Sequence, residues 1–115
     1  MPDVVVTVPT REWDRWLAEG ALVGEPCPAA TEYFFRIGGR PRVQPGERVY
    51  VVAHGKLRGY APLVRLLPSG SVSFLVRRGD AVAVTIPETI TGFRGFRYRW
   101  WQREAERSFP EWCTP

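Results

Sequence analysis

Gly46-Glu47-Arg48-Val49-Tyr50-Val51-Val52-Ala53-His54-Gly55-Lys56-Leu57-Arg58-Gly59-Tyr60-Ala61-Pro62-Leu63 is the stretch whose reading decides the fold. Arg48 to Ala53 is a β-branched and aromatic run, and Leu57 to Leu66 is a second strand-like run. His54-Gly55-Lys56 between them is the short, glycine-containing connection of a β-hairpin. Pro45-Gly46 ahead of it signals a turn, because proline presets φ and glycine accepts a positive one.

The flanking sequence supplies further strands. On the C-terminal side Pro68-Ser69-Gly70 turns the chain, and Ser71 to Val76 and Ala81 to Ile86 read as two strands joined by Arg77-Arg78-Gly79-Asp80. Pro87 ends the second. On the N-terminal side Thr31 to Ile37 is an aromatic-rich strand, broken by Gly38-Gly39-Arg40-Pro41-Arg42, and Gly24 to Ala30 is a loop with Pro26 and Pro28. Val4 to Val8 is a short β-branched first strand between Asp3 and Pro9. Thr10 then stands where a helix N-cap belongs, Trp13, Trp16 and Leu17 form an i, i+3, i+4 stripe, and Gly20 can end the helix. These elements predict a single α+β domain over residues 1–115. Its centre is a small, mixed, strongly curved β-barrel of five to seven strands, with an N-terminal helix and a short C-terminal helical segment over Trp101 to Arg107.

Composition narrows the classes. The chain has 115 residues, 44% hydrophobic and 24% charged, which argues against disorder and against a collagen-like fibre. No apolar run approaches the ~20 residues of a membrane span, and Met1-Pro2-Asp3-Val4 lacks the start of a signal peptide, so a cytoplasmic protein without membrane contact is expected. Cys27, Cys113 and His54 are scattered, whereas a structural zinc site uses four ligands in close pairs, so neither a metal nor another cofactor is expected.

The net charge of +4 hides a segregation along the chain. Residues 1–35 hold two arginines against six acids, while residues 36–65 hold six arginines and Lys56 against Glu47 alone. Residues 77–103 hold another six arginines against Asp80 and Glu88. Once folded, such a chain presents a basic face, the electrostatic footprint of a polyanion binder. A GC-rich coding bias also produces arginine in place of lysine, so placement carries more weight than number: all basic residues but Lys56 are arginine.

Phe93-Arg94-Gly95-Phe96-Arg97-Tyr98-Arg99-Trp100-Trp101-Gln102-Arg103 packs five aromatics and four arginines into eleven residues. Aromatic faces stack on unpaired bases, and guanidinium groups pair with phosphates or stack on the same planes. Read as a strand, Phe96, Tyr98 and Trp100 share one face, and Arg97, Arg99 and Trp101 share the other. The competing reading makes the aromatics core and the arginines their solvated face. Arg36, Arg40, Arg42, Lys56 and Arg58 are placed in and around the loop after Ile37 and the central hairpin, where a phosphate backbone can be clamped. The expected nucleic-acid contacts are therefore Arg36, Arg40, Arg42, Lys56, Arg58, Tyr60, Arg94, Arg97, Tyr98, Arg99, Trp100 and Trp101.

Catalytic signatures are thin. His54 can be paired on paper with Ser69, Ser71 or Ser73, but no G-x-S-x-G elbow is present and a turn role for His54 is the simpler one. No catalytic residue is assigned.

Gly46 to Val52 followed by Gly55-Lys56-Leu57-Arg58-Gly59-Tyr60-Ala61-Pro62-Leu63 resembles the central hairpin of PUA-like domains, a superfamily that includes the ASCH, EVE and YTH branches. The strand–helix unit Val4 to Gly20 stands where those domains place theirs, and the resemblance spans about residues 4–86. It implies a pseudobarrel that binds RNA or a modified base, the latter in an aromatic-lined pocket in EVE and YTH relatives. Some ASCH relatives hydrolyse modified nucleosides. Their G-x-K-x-x-E-x-R signature is not matched here: Gly20 to Glu25 lacks the lysine, and only Glu32 and Arg36 echo the acid and the arginine. The expected activity is thus nucleic-acid binding, with a nucleoside or nucleotide hydrolase and a protein-interaction module, including a homodimer, as alternatives.

Overall fold

The computed structural model describes residues 3–9, 13, 33–77 and 82–110. Eight strands follow in order: β1 (Val4–Thr7), β2 (Tyr33–Gly38), β3 (Arg48–Ala53), β4 (Lys56–Ser69), β5 (Val72–Arg77), β6 (Val84–Thr85), β7 (Phe96–Tyr98) and β8 (Arg107–Ser108). Six form one strongly curled half-barrel sheet in the order β2-β5-β4-β3-β1-β7, and β6 pairs with β8 in a separate ribbon. All neighbours in the large sheet are antiparallel except β1 and β3.

The central hairpin forms where the sequence predicts one, with Lys56 in β4 rather than in the connection. Ala53 pairs with Lys56 across His54 and Gly55, whose φ values of 52° and 75° are those of a two-residue type I′ turn. A bulge leaves Arg58 without an opposite residue, since Val51 pairs with Gly59 and Val52 with Leu57. A second irregularity at Val64 lies where β4 exchanges one partner strand for the next, from β3 to β5. The extra residue bends the strand there and turns the corner of the half-barrel. The edge strands β2 and β7 approach each other at one end: a Cβ added to Gly39 would lie 3.2 Å from Phe96 Cε1, and one on Gly95 would lie 3.8 Å from the Gly38 carbonyl.

Each face of the sheet buries its own core. Inside the curl, Val4, Val6, Val49, Val51, Ala61, Leu63 and Leu75 pack with Trp13, against Phe35 and Phe96 from the two edges. On the outer face Val5, Tyr50, Val52 and Leu57 are covered by Ile86, Ile90 and Trp101 from the C-terminal segment. At about 1.5–3 kcal/mol for each fully buried large aliphatic side chain, this second layer fixes the segment that carries the aromatic–arginine run.

Two expectations change, those for the C-terminal helical segment and for the strand over Ala81 to Ile86. The helix over Thr10 to Gly20 and the loop over Gly24 to Ala30 lie outside the described residues, apart from buried Trp13. The expected C-terminal helical segment is instead a single 3-10 turn at Arg103–Ala105, with no side-chain cap at Gln102, and no α-helix figures among the described elements. A longer helix is opposed there by Glu106, which is drawn inward by Tyr50 and Trp101, and by the pairing of β8. Finally, among the described residues of the strand expected over Ala81 to Ile86, Val84–Thr85 is the part that forms, and it pairs with β8 rather than β5.

Candidate functional site

After β6 the chain turns at Pro87 and runs along the end of the sheet. The Ile90 N–H donates to the Gly55 carbonyl at 2.8 Å, and the Phe93 N–H donates to Thr7 Oγ1 at 3.3 Å. Gly95, at φ 72°, lets the chain reverse into β7, where Val4, Val5 and Val6 of β1 face Tyr98, Arg97 and Phe96. Beyond β7 the Arg99 N–H donates to the Asp3 carbonyl at 3.0 Å, and the Trp100 indole N–H returns to Glu88 Oε2 at 3.1 Å. That last bond closes the mouth of a loop running from residue 88 to residue 100.

The loop borders an open groove of about 620 Å³ lined by Glu88, Thr89, Ile90, Thr91, Gly92, Arg97, Tyr98 and Trp100. A smaller groove of about 270 Å³ adjoins it through Glu88 and Thr89, and adds Lys56, Thr85, Ile86, Pro87 and Phe109. Trp100 and Tyr98 are 41% and 42% exposed, well above what core aromatics show. The Arg97 guanidinium lies 4.4 Å over the Phe93 ring. The exposed residues Arg40 and Arg42 follow β2 and run beside β7, since the Arg42 N–H donates to the Tyr98 hydroxyl at 2.9 Å. Arg94 is exposed at the turn into β7.

Several expected contact residues are engaged elsewhere. Arg58 is 1% exposed, its Nε donates to the Ala53 carbonyl at 2.8 Å, and its guanidinium stands over Phe109. The bulge that frees it from the strand register aims it inward. Arg99 binds Asp3 and the Trp101 carbonyl, and Trp101 is buried with its N–H on Glu106. Tyr60 is half-buried beneath Arg48, whose guanidinium lies 4.0 Å from its ring centre. Arg36 is exposed on β2, and Lys56 lines only the smaller groove. The imagined pairing of His54 with a serine is not assembled: His54 sits at the tip of the β3–β4 hairpin, while Ser69 and Ser71 lie at the other end of β4 and Ser73 Oγ donates to the Gly39 carbonyl. Cys27 and Cys113 lie outside the described residues.

Two acids build the polar frame behind the groove. Asp3 accepts from the Arg48 N–H at 2.9 Å, from Arg99 Nε at 3.1 Å and from Arg103 Nη2 at 2.9 Å. Burial alone would raise the Asp3 carboxyl, but the Arg48 N–H, Arg103 and Arg99 together hold it below its ordinary value. Glu106 accepts from the Tyr50 hydroxyl at 2.6 Å, from Trp101 at 2.9 Å and from Arg48 at 3.2 Å. Burial pushes the Tyr50 hydroxyl up, and the neighbouring Glu106 adds to the shift, so Tyr50 serves as a neutral donor. Sequence reasoning missed this frame because Asp3 and Arg103 lie 100 positions apart. It also missed Glu88, whose only signal is that it is an acid within a basic segment.

No protein-family model, no curated protein and no solved structure matches this chain.

Proposed function

We propose that this chain binds single-stranded nucleic acid, RNA or an unpaired or modified base, within a PUA-like pseudobarrel. The observation that carries the reading is the convergence of exposed Trp100 and Tyr98 with Arg97 on one groove of about 620 Å³. A base stacks on the indole or phenol face, while Arg40, Arg42, Arg94 and Arg97 hold phosphates on either side of β7. The curled sheet and the hairpin that resembles PUA-like domains support the same reading. Arg58, Arg99 and Trp101 act in it as framework rather than as contacts.

The test is fluorescence anisotropy with labelled single- and double-stranded RNA and DNA at several salt concentrations. Four phosphate contacts predict a log–log slope of about −3 for a single strand, and Arg97→Ala flattens it by about 0.7. Absence of binding at low salt, or binding that ignores salt, refutes the proposal.

A further inference from the structure

Glu88 is out of place in a phosphate-binding groove. It is the one acid among the residues lining either groove, and a carboxylate there repels a nucleic-acid backbone. Trp100 fixes its orientation by donating to Oε2, and Glu88 has no other partner among the described residues. A carboxylate offers only acceptors, about four lone-pair directions in all, so Oε1 and the rest of Oε2 remain for a ligand. A base stacked on Trp100 brings its own edge against that carboxylate.

Resting on the binding reading above, we infer that the groove selects guanine, with Glu88 accepting from its N1–H and N2 amino groups. Guanine is the base that presents two adjacent donors on its Watson–Crick edge, matching the two oxygens of a carboxylate in a bidentate pair. Adenine and cytosine present one amino group beside a ring acceptor, and uracil presents one N–H between two carbonyls, so each turns a lone pair toward Glu88. The Thr89 and Thr91 hydroxyls, which also line the groove, can donate to the remaining acceptors of the purine.

The test compares labelled short oligouridines carrying one central guanine, inosine, adenine or cytosine, for the native protein and for Glu88→Gln. The introduced amide keeps an acceptor for the Trp100 indole but puts a donor where guanine also donates. Tighter binding of the guanine probe by about tenfold, reduced with inosine, which lacks the N2 amino group, and abolished by Glu88→Gln is the expected result. Binding of all four probes alike, or a guanine preference that survives Glu88→Gln, overturns the inference and leaves the binding reading standing. Failure to bind any probe overturns both. The inosine comparison uses the native protein alone, so it decides the matter even if the variant folds poorly.

Discussion

Replacing Asp3 by asparagine tests whether the polar frame holds the C-terminal segment to the sheet. Asparagine keeps the size of the side chain and an oxygen for the Arg48 N–H, but sets an amide N–H2 where Oδ2 now accepts from Arg99 and Arg103. The Asp3 side chain is 1% exposed and that of Arg99 is 20% exposed, so this charge-assisted bond is largely shielded from water and is worth about 2 kcal/mol. Arg103 is half exposed and adds about 0.5 kcal/mol. The total of about 2.5 kcal/mol lowers a urea midpoint by about 1.7 M at a slope of about 1.5 kcal/mol/M. The difference also has a pH signature. The folded-state pKa of Asp3 lies below its ordinary value of 3.8, so its contribution is complete above that value and is lost as pH falls through the folded one. Urea unfolding of both proteins is therefore compared at about pH 7 and about pH 2, reading the difference between them because other carboxylates titrate in both. A cost below about 0.5 kcal/mol at neutral pH, or a cost that persists undiminished in acid, refutes the reasoning.

Other substitutions probe other links. At Gly59 an added Cβ would lie 2.5 Å from the Val82 carbonyl oxygen, so Gly59→Ala should separate the Tyr60–Val82 bridge and cost about 1–3 kcal/mol, read as a lowered thermal midpoint. His54→Asn should raise that midpoint, because asparagine accepts the left-handed conformation of a type I′ turn more readily than histidine. Trp100→Ala should weaken single-strand binding by about tenfold or more through lost stacking, while lowering the thermal midpoint less than loss of a core tryptophan would, since the residue is 41% exposed.

The hairpin was legible because two strand-like runs flank the short, glycine-containing connection His54-Gly55-Lys56, a local pattern that needs no distant partner. The full length of β4 was not. Pro68 reads as the start of a turn, yet it lies within β4, as does Pro62 inside the expected Leu57 to Leu66 run. Pro62 shares the orientation of Tyr60, whose backbone bonds point away from β3 toward Val82, so its missing N–H removes nothing from the β3–β4 ladder. In the aromatic–arginine run, period-two alternation holds for Phe96, Arg97 and Tyr98 but lapses beyond β7, because the strand ends there. Trp100 therefore joins Arg97 and Tyr98 around one groove. Arg94 and Arg99 look alike in sequence. What separates them is Asp3, 96 positions from Arg99, and such a pairing is fixed only when β7 docks beside β1.

That docking couples stability to the groove. Trp100 stands between two anchored neighbours: Arg99 is tied to Asp3 through both its backbone and its side chain, and Trp101 is tied to Glu106. Only Trp100 of the three turns its ring to the groove, where Glu88 meets it. Loosening either anchor lets the indole leave that position without removing any atom from the groove. Asp3→Asn should therefore weaken single-strand binding even at a temperature where the variant is fully folded, although Asp3 lies behind the groove. Combined with Trp100→Ala, its effect on binding should largely vanish, since a misplaced indole and an absent one forfeit the same stacking. The two effects should be closer to additive on urea stability, where stacking on a base plays no part. Anisotropy and urea titrations on the four members of this double-mutant cycle measure both couplings. Additive losses in binding would mean that Asp3 reaches the nucleic acid by some route other than the seat of Trp100.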